Sequence, residues 1–180
     1  ILVGHSLGGD TVRLAGDPFA VVVADDRAYV SVATAGHDSI VTVDTITGAV
    51  LAEYPLAFSV TALAISPDGK RVFAGRTGHE RIDIADIDTT AERVGTIDIA
   101  TGPGINLDAL RIDSTGKRLY VATSDSRGSR LVIVNTETAQ AQATVWVGAP
   151  IRDIAIGDGV AYVLTSDLEH RGVVHTVDLS

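Results

Sequence analysis

Short runs of hydrophobic residues, separated by polar turn residues, recur along nearly the whole chain. Examples are "FAVVVA" (19–24), "VTALAIS" (60–66), "LDALRID" (107–113) and "IRDIAIG" (151–157). The runs are rich in β-branched residues and are bounded by Gly, Asp, Pro or Ser, which is typical of strands. No segment has the three-to-four-residue apolar spacing of an amphipathic helix over a useful length. The pattern predicts an all-β chain.

The strands recur as a unit of turn, strand with a central aromatic residue, Gly-bearing hairpin, and strand closed by Asp or Asn. The aromatic residues are Tyr29, Phe73, Tyr120 and Tyr162, spaced by 44, 47 and 42 residues. The hairpin glycines are Gly36, Gly78, Gly128 and Gly172, and the closing residues are Asp44, Asp86, Asn135 and Asp178. A short apolar strand precedes each turn and another follows each unit, so each unit has four strands, a to d. This predicts a β-propeller of four-stranded antiparallel blades, with about four blades in this chain.

The repeat divides residues 1–180, a single propeller region, into blades. Residues 17–57, 58–104 and 105–149 are predicted as complete blades, and 150–180 as a blade without its outer strand. Residues 1–16 are predicted to hold strand d of a preceding or closing blade, with the strand itself over 11–15. Strand a, the most apolar, is expected to be the innermost strand and to be buried between blades.

Two ring arrangements remain open at this stage. The four units either close alone or belong to a larger ring, whose missing blades come from the rest of the polypeptide or from a second copy. We favour the larger ring, because a start at Ile1 rather than Met suggests a mature or excised piece.

Charge and composition narrow the choice of partners. The net charge of −9 argues against nucleic acid and against anionic lipid, because both attract positive surfaces. No apolar run is long enough to span a bilayer, so this segment is not expected to insert into a membrane. The chain has no Cys and therefore no disulfide or thiolate metal site. No Gly-rich loop precedes a helix, and no cofactor is predicted.

The first ten residues contain Gly4-His5-Ser6-Leu7-Gly8, which matches the G-x-S-x-G nucleophile elbow of serine hydrolases. A working elbow needs a strand before the serine and a helix after it. Only three residues precede Gly4, and the following glycine pair is poor helix material. Residues 166–170, "SDLEH", could supply an Asp and a His in the right order. We interpret the motif as a turn and keep a hydrolase using Ser6 as the least favoured alternative.

Three stretches resemble the YVTN-type β-propeller repeat of bacteria. They are "SPDGKRVFAG" (66–75), "STGKRLYVAT" (114–123) and "VDTITGAVLAEYPLA" (43–57). The resemblance extends over residues 11–180, although the second and third c–d turns lack its Thr-Gly. It implies a propeller, commonly of seven blades, and an extracytoplasmic location (secreted, periplasmic or cell-surface). It does not imply one activity.

Propellers usually bind ligands on the face formed by the d–a and b–c loops, an analogy at the level of fold. Histidines recur in three of the four b–c hairpins, where they could grip an anionic or metal-bearing partner or sense pH. Polar residues at the heads of inner strands could line the channel mouth. The candidate binding residues are His37, Asp38, His79, Glu80, Arg81, Asn106, Asp108, Arg152, Asp153 and His170. The competing interpretation is solvated hairpins with an inter-blade Arg–Asp pair.

These features favour a non-catalytic binding or scaffold propeller that engages a protein or cell-envelope ligand through its loops. The alternative is a lactonase-like or quinoprotein-like enzyme at the channel mouth. Such a site needs several converging carboxylates or histidines, and only Asp108 and Asp153 are candidates. Equivalent hairpins of neighbouring blades should lie roughly 10 Å or more apart, too far to share a zinc whose nitrogen ligands sit at about 2 Å. No catalytic residue and no metal ligand are predicted.

Overall fold

The computed structural model describes residues 11–57, 59–157, 159–167 and 169–179. The first sheet contains β1 (Asp17–Ala24), β2 (Arg27–Ala33), β3 (Asp38–Asp44) and β4 (Val50–Leu56). The second contains β5 (Ser59–Ile65), β6 (Arg71–Thr77), β7 (Arg81–Asp88) and β8 (Arg93–Thr101). The third contains β9 (Asn106–Ile112), β10 (Arg118–Asp125), β11 (Gly128–Asn135) and β12 (Gln140–Trp146). The fourth contains β13 (Ile151–Gly157), β14 (Val160–Ser166) and β15 (Gly172–Asp178).

Each sheet is an antiparallel meander in chain order, and the described residues form no helix. The four sheets correspond to the four repeat units, so the predicted all-β, propeller-like fold is confirmed. We call them blades 1 to 4. The predicted hairpin "SPDGK" joins β5 to β6, where Gly69 has φ 68° and donates its N–H to the Ser66 carbonyl at 2.9 Å. Gly116 has the same role in blade 3, with φ 74°.

Successive blades pack face to face through apolar clusters. The aromatic residue of strand b lies at each of these contacts: Tyr29 packs with Val60 and Leu63 of blade 2, and Phe73 clusters with Leu107 of blade 3. Tyr120 clusters with Ile151 and Ile154 of blade 4. The repeated aromatic position is therefore the hydrophobic contact between one blade and the next.

Burial differs from the expectation for strand a. The most buried strands are strand c of blade 1, strands b and c of blade 2 and strand b of blade 3, each with five buried residues. In β1 the side chains of Phe19, Val21 and Val23 are exposed, whereas Ala20 and Val22 pack toward blade 2. The exposed residues alternate along the strand, so they form one face that no described blade covers.

Two further details of the repeat were predicted wrongly. Strand c of blade 2 ends at Asp88, not Asp86, and it is the Asp88 carboxylate that accepts N–H groups of the following turn. Asp86 faces Arg71 instead. Residues 1–10 lie outside the described residues, but 11–15 do not form the predicted strand d. No described strand lies alongside them to supply hydrogen bonds, and Val12 and Leu14 pack against the apolar side chains of blade 1.

Candidate functional site

Strand registers place the d–a and b–c loops on one side of the molecule. Asp17 at the start of β1 pairs with Ala33 at the end of β2, which pairs with Asp38 at the start of β3. Asp38 in turn pairs with Leu56 at the end of β4. We call this side the loop face and the opposite side, formed by the a–b and c–d turns, the turn face. Every candidate binding residue lies on or near the loop face.

The three hairpin histidines are exposed, each in a different blade. His37 lies between β2 and β3, His79 between β6 and β7, and His170 between β14 and β15. His37 is held through its backbone, since its carbonyl accepts the Thr34 hydroxyl at 2.6 Å. His170 has a left-handed backbone, with φ 61°, inside a turn closed onto Asp167. The imidazoles are thus presented to solvent on separate short loops.

Asp38 has a structural role that the sequence did not indicate. Its Oδ2 accepts the main-chain N–H of Val60, on the inner strand of blade 2, at 2.8 Å. At the next junction the Thr77 hydroxyl accepts the N–H of Leu107 at 3.1 Å. Each side chain thus satisfies a backbone donor of the following blade. One oxygen of Asp38 is therefore committed to joining blades.

Arg81 forms part of a charge cluster around a buried carboxylate. Asp83 is fully buried and is bound by the Arg76 guanidinium at 2.6 Å, with Arg81 at 3.5 Å. Arg76 is itself buried, so loss of either partner would leave an uncompensated charge inside the blade. Glu80 is exposed, but its backbone carbonyl accepts the N–H of Gly102 at 2.8 Å. The second hairpin is therefore anchored on both sides, with His79 and Glu80 at its tip.

The heads of the inner strands present polar groups on the loop face. Asn106 is exposed and its amide reaches the Gly104 carbonyl at 3.4 Å. Partial desolvation raises the pKa of the Asp108 carboxyl, an effect that a hydrogen bond from Ser124 partly opposes.

The other two inner-strand candidates belong to the junction between blades 3 and 4. Asp153 pairs with Arg111 of blade 3 at 2.5 Å. Arg111 also donates to the Ile154 carbonyl at 3.0 Å. The inter-blade Arg–Asp pair considered as the alternative therefore exists, with Arg111 rather than Arg152 as the cation. Arg152 remains exposed beside the Ser166 hydroxyl, at 3.4 Å.

A metal site and a hydrolase triad of Ser6 with the Asp and His of residues 166–170 both depend on how acidic and histidine side chains are grouped. Within the part of the chain that the structure describes, no three His, Asp or Glu residues are grouped so that they could hold a metal ion. Ser6 lies outside the described residues. The Asp167 carboxylate accepts the N–H groups of Glu169 and Arg171 and pairs with the Arg171 guanidinium at 2.8 Å. These contacts give Asp167 a turn-forming role in its own hairpin.

A second cationic group, on the b–c hairpin of blade 3, was not identified from the sequence. Arg127 and Arg130 both contact Oδ2 of Asp125 at 3.0 Å. The Asp125 side chain is only 8% exposed, and hydrogen bonds from the Arg127 N–H and from both guanidinium groups hold its pKa well below the usual range. The Arg130 guanidinium lies over the ring of Trp146, 5.1 Å from its centroid. The long hairpin "SDSRGSR", which contains both arginines, is the feature of the sequence that could have indicated this cationic group.

This hairpin borders a cleft of about 430 Å³ between blades 2 and 3. Apolar lining comes from Ile99 on β8 of blade 2, from Ile105 in the loop that leads into β9, and from Val132 on β11 of blade 3. Hydroxyl groups of Thr101, Ser126 and Thr144 and the two arginines supply the polar lining. A cleft of this size, with an apolar wall and a few polar groups, is the usual form of a small-molecule site.

Comparison with known proteins is consistent with this architecture. No protein-family model matches the chain. A seven-bladed β-propeller protein of Mycolicibacterium smegmatis is 73% identical over 69 residues, which is 38% of this chain and 19% of that protein. The seven-bladed β-propeller protein Rv1057 of Mycobacterium tuberculosis is 29% identical over 202 aligned residues, covering 93% of this chain and 51% of the relative. The chain thus spans about half the length of the second relative and less of the first.

Solved structures show the same fold at low identity. Hydrazine synthase of Kuenenia stuttgartiensis matches with a TM-score of 0.77 at 17% identity, over 97% of this chain and 49% of that one. At this identity the likeness concerns the fold alone. The comparisons therefore support propeller blades, while the YVTN repeat remains a resemblance. Over the described residues, the structure has no helix with the length and apolarity needed to cross a bilayer.

Proposed function

We propose that this chain is a non-catalytic binding propeller that engages a protein or cell-envelope ligand through its loop face. The observation that supports it is the exposure, on one face, of nine predicted residues of both charge signs, with only Asp38 partly buried. They come from the hairpins and inner strands of all four blades. A surface presented by several rigid blades can hold many polar groups in fixed positions, which suits recognition of a large partner.

The enzymatic alternative has less support. It required carboxylates converging at the channel mouth, and of its two candidates Asp153 is paired with Arg111. Asp108 has a raised pKa, but a single perturbed carboxylate is weak support for a catalytic site. We therefore assign Asp108 to ligand recognition at the mouth.

Substitution of loop-face residues tests the proposal. In one variant His37, His79 and Arg152 are replaced by Ala; in a control, the exposed turn-face residues Lys70, Arg93 and Lys117 are replaced by Ala. Each protein is immobilised and exposed to a solubilised cell-envelope fraction, and bound components are identified by mass spectrometry. We expect some components to bind the wild type and the control but not the loop-face variant. The melting temperatures of the three proteins should be equal, which would show that all of them are folded. Identical capture by all three proteins would refute the loop-face assignment.

We further propose that additional blades of the same polypeptide complete the ring. The aromatic position of strand b is buried in blades 1 to 3, but Tyr162 of blade 4 is 43% exposed. Leu164 and Val174 are exposed beside it, and blade 1 exposes Val21 and Val23. These exposed residues are apolar, like those at the contacts between blades, but no described blade packs against them. The relatives named as seven-bladed are longer than this chain. We therefore infer that further blades pack against the open faces of blades 1 and 4.

A charge placed on an open blade face tests ring completion. Val21→Lys should destabilise a longer polypeptide that carries the additional blades by about 1–3 kcal/mol, because it would bury an unpaired charge. The same substitution should leave the 180-residue chain nearly unchanged. Equal small effects in both proteins would refute the proposal. Self-association of the longer polypeptide through these faces, seen by light scattering, would instead favour a second copy.

The extracytoplasmic location is also a proposal, supported by the resemblance of the repeat. Cells that express the full-length protein can be separated into cytoplasmic, envelope and secreted fractions and probed with an antibody. We expect the protein in the envelope or secreted fraction. Recovery in the cytoplasm alone would contradict this location.

A further inference from the structure

The cleft between blades 2 and 3 combines a cationic end with an apolar wall. Arg127 and Arg130 carry two positive charges, and Asp125 is the one acid among the described residues that line the cleft. The local excess of one positive charge contrasts with the net charge of −9 for the whole chain. An anion approaching this end therefore meets a local attraction, although the chain as a whole is acidic.

The two arginines retain donors for a ligand. Each guanidinium has five N–H groups. Arg127 and Arg130 each donate one hydrogen bond to the Asp125 carboxylate, through Nη2 and Nη1 respectively. Asp125 is bound by both side chains, so it fixes their relative position before any ligand arrives. Arg130 is held further by its stacking on Trp146. Pre-positioned arginines lose little conformational entropy on binding a carboxylate, which they can contact through paired hydrogen bonds.

The wall behind the arginines is suited to a hydrocarbon chain. Ile99, Ile105 and Val132 line it, and Val132 is buried. The cleft volume, about 430 Å³, exceeds what a bare inorganic ion needs. The apolar lining would contribute affinity only for a ligand with carbon atoms beyond its charged group.

We propose that this cleft binds an organic carboxylate, with the anion at Arg127 and Arg130 and its apolar chain along Ile99, Ile105 and Val132. This inference goes beyond the proposed function: it assigns a separate ligand-binding subsite on the loop face, for which His37, His79 and Arg152 are not required. The carboxylate can belong to a free small molecule or to the side chain of a larger partner.

Hexanoate is a suitable probe, and the protein contains its own reporter. Trp146 is the single tryptophan of the chain and contacts Arg130. We expect hexanoate to change Trp146 fluorescence saturably, with matching heats in calorimetry. Hexanamide, which lacks the charge, and acetate, which lacks the chain, should each bind about tenfold or more weakly. Absence of saturable hexanoate binding, or equal binding of hexanamide, would overturn the proposal.

Two pairs of variants locate the site. Arg127→Gln should weaken hexanoate binding about tenfold, whereas Arg93→Gln, the same change on the turn face, should leave it unchanged. Ala141→Glu adds a negative charge to the cleft wall and should also weaken binding. Ala143 is exposed on the same strand but is paired with Ile133 rather than Val134, so Ala143→Glu lies on the other side and serves as its control. Equal affinity within either pair would contradict the assignment.

The outcomes separate this inference from the proposed function. The loop-face variant lacking His37, His79 and Arg152 should still bind hexanoate. If the loop-face variant captures the same envelope components as the wild type while hexanoate binds as described, the proposed function is wrong and the cleft assignment stands. If capture depends on the loop face but hexanoate does not bind, only the cleft assignment fails. Competition by hexanoate for a captured component would show that the carboxylate belongs to that larger partner.

Discussion

The guanidinium of Arg71, at the start of strand b in blade 2, donates a hydrogen bond to the carbonyl oxygen of Thr136 in blade 3, at 3.1 Å. The relationship recurs one blade later, where Arg118 donates to the carbonyl of Leu179 at 2.9 Å. Thr136 and Leu179 occupy equivalent positions, each directly after strand c. The arginine of the "GKR" hairpin is therefore a connection between blades on the turn face, in addition to its place in the turn.

Replacement of this arginine should loosen the junction between blades 2 and 3. Arg71→Gln removes the bond to Thr136 and the ion pair with Asp86, both partly exposed to solvent. We expect the free energy of unfolding to fall by about 1–2 kcal/mol, measured by urea denaturation. Arg93→Gln, an exposed arginine of the same blade, is the control and should cost less than about 0.5 kcal/mol. Equal stability of the two variants would contradict the role of Arg71.

Asp38 should contribute to stability through its bond to Val60. Asp38→Ala leaves the Val60 N–H without its acceptor and should cost about 1–2 kcal/mol. Asp38→Asn keeps a carbonyl acceptor and should recover most of that loss. Thermal denaturation of the two variants gives the comparison. If Asn and Ala are equally destabilising, the hydrogen bond is not the source of the effect.

Gly128 is required where the hairpin of blade 3 meets Trp146. Its φ is 134°, and an added Cβ would lie 2.7 Å from the Gly148 carbonyl oxygen and 2.9 Å from the Trp146 ring. We expect Gly128→Ala to destabilise the protein by about 2 kcal/mol or more and to alter Trp146 fluorescence. Gly36→Ala is the control, since an added Cβ there meets no atom within 4 Å. A Gly128→Ala protein as stable as Gly36→Ala would show that this contact relaxes without cost.

Asp125 should make the protein sensitive to acid. Its pKa is lowered in the folded protein, so its contribution to stability is fully present above the unfolded value of about 3.9 and is lost as the pH falls through the lower folded value. Asp125→Asn should therefore be less stable than the wild type near neutral pH, and the difference should shrink below about pH 4. Melting temperatures from pH 2 to 7 test this.

The exposed Asp17 provides the matched control for that series. Asp17→Asn makes the same chemical change at the start of β1 in blade 1, away from the arginine pair. The difference in melting temperature between this variant and the wild type should be smaller than that of Asp125→Asn at pH 7. A constant difference between Asp125→Asn and wild type over the whole pH range would mean that the carboxylate charge does not stabilise the hairpin.

Local patterns in the sequence predicted the blades well because strand and turn formation depend on neighbouring residues. Alternation and turn chemistry located the hairpins at Gly69 and Gly116, and the aromatic spacing located strand b in each blade. The closing residue of blade 2 was misplaced, because Asp86 and Asp88 both fit the pattern. Only their contacts, with Arg71 and with the c–d turn, distinguish them.

The candidate site was predicted less completely, because its chemistry depends on contacts between blades. Sequence indicated that residues such as His37 and His79 would be exposed on loops. It did not indicate that Asp38 bonds to Val60 across a junction, or that Arg111 takes Asp153 as its partner. It also gave no means of placing Arg130 beside a tryptophan sixteen residues away along the chain.

The amino-acid sequence by itself determined that this protein is built from repeated four-stranded units, since the period of two along each strand and the glycines at the turns act over a few residues. Tertiary structure decided which polar side chains are used to join blades and which remain for a ligand. It also decided which apolar faces remain open, because that depends on whether another sheet lies against them. Tyr29 and Tyr162 occupy the same repeat position, yet among the described residues only Tyr29 has a blade packed over it.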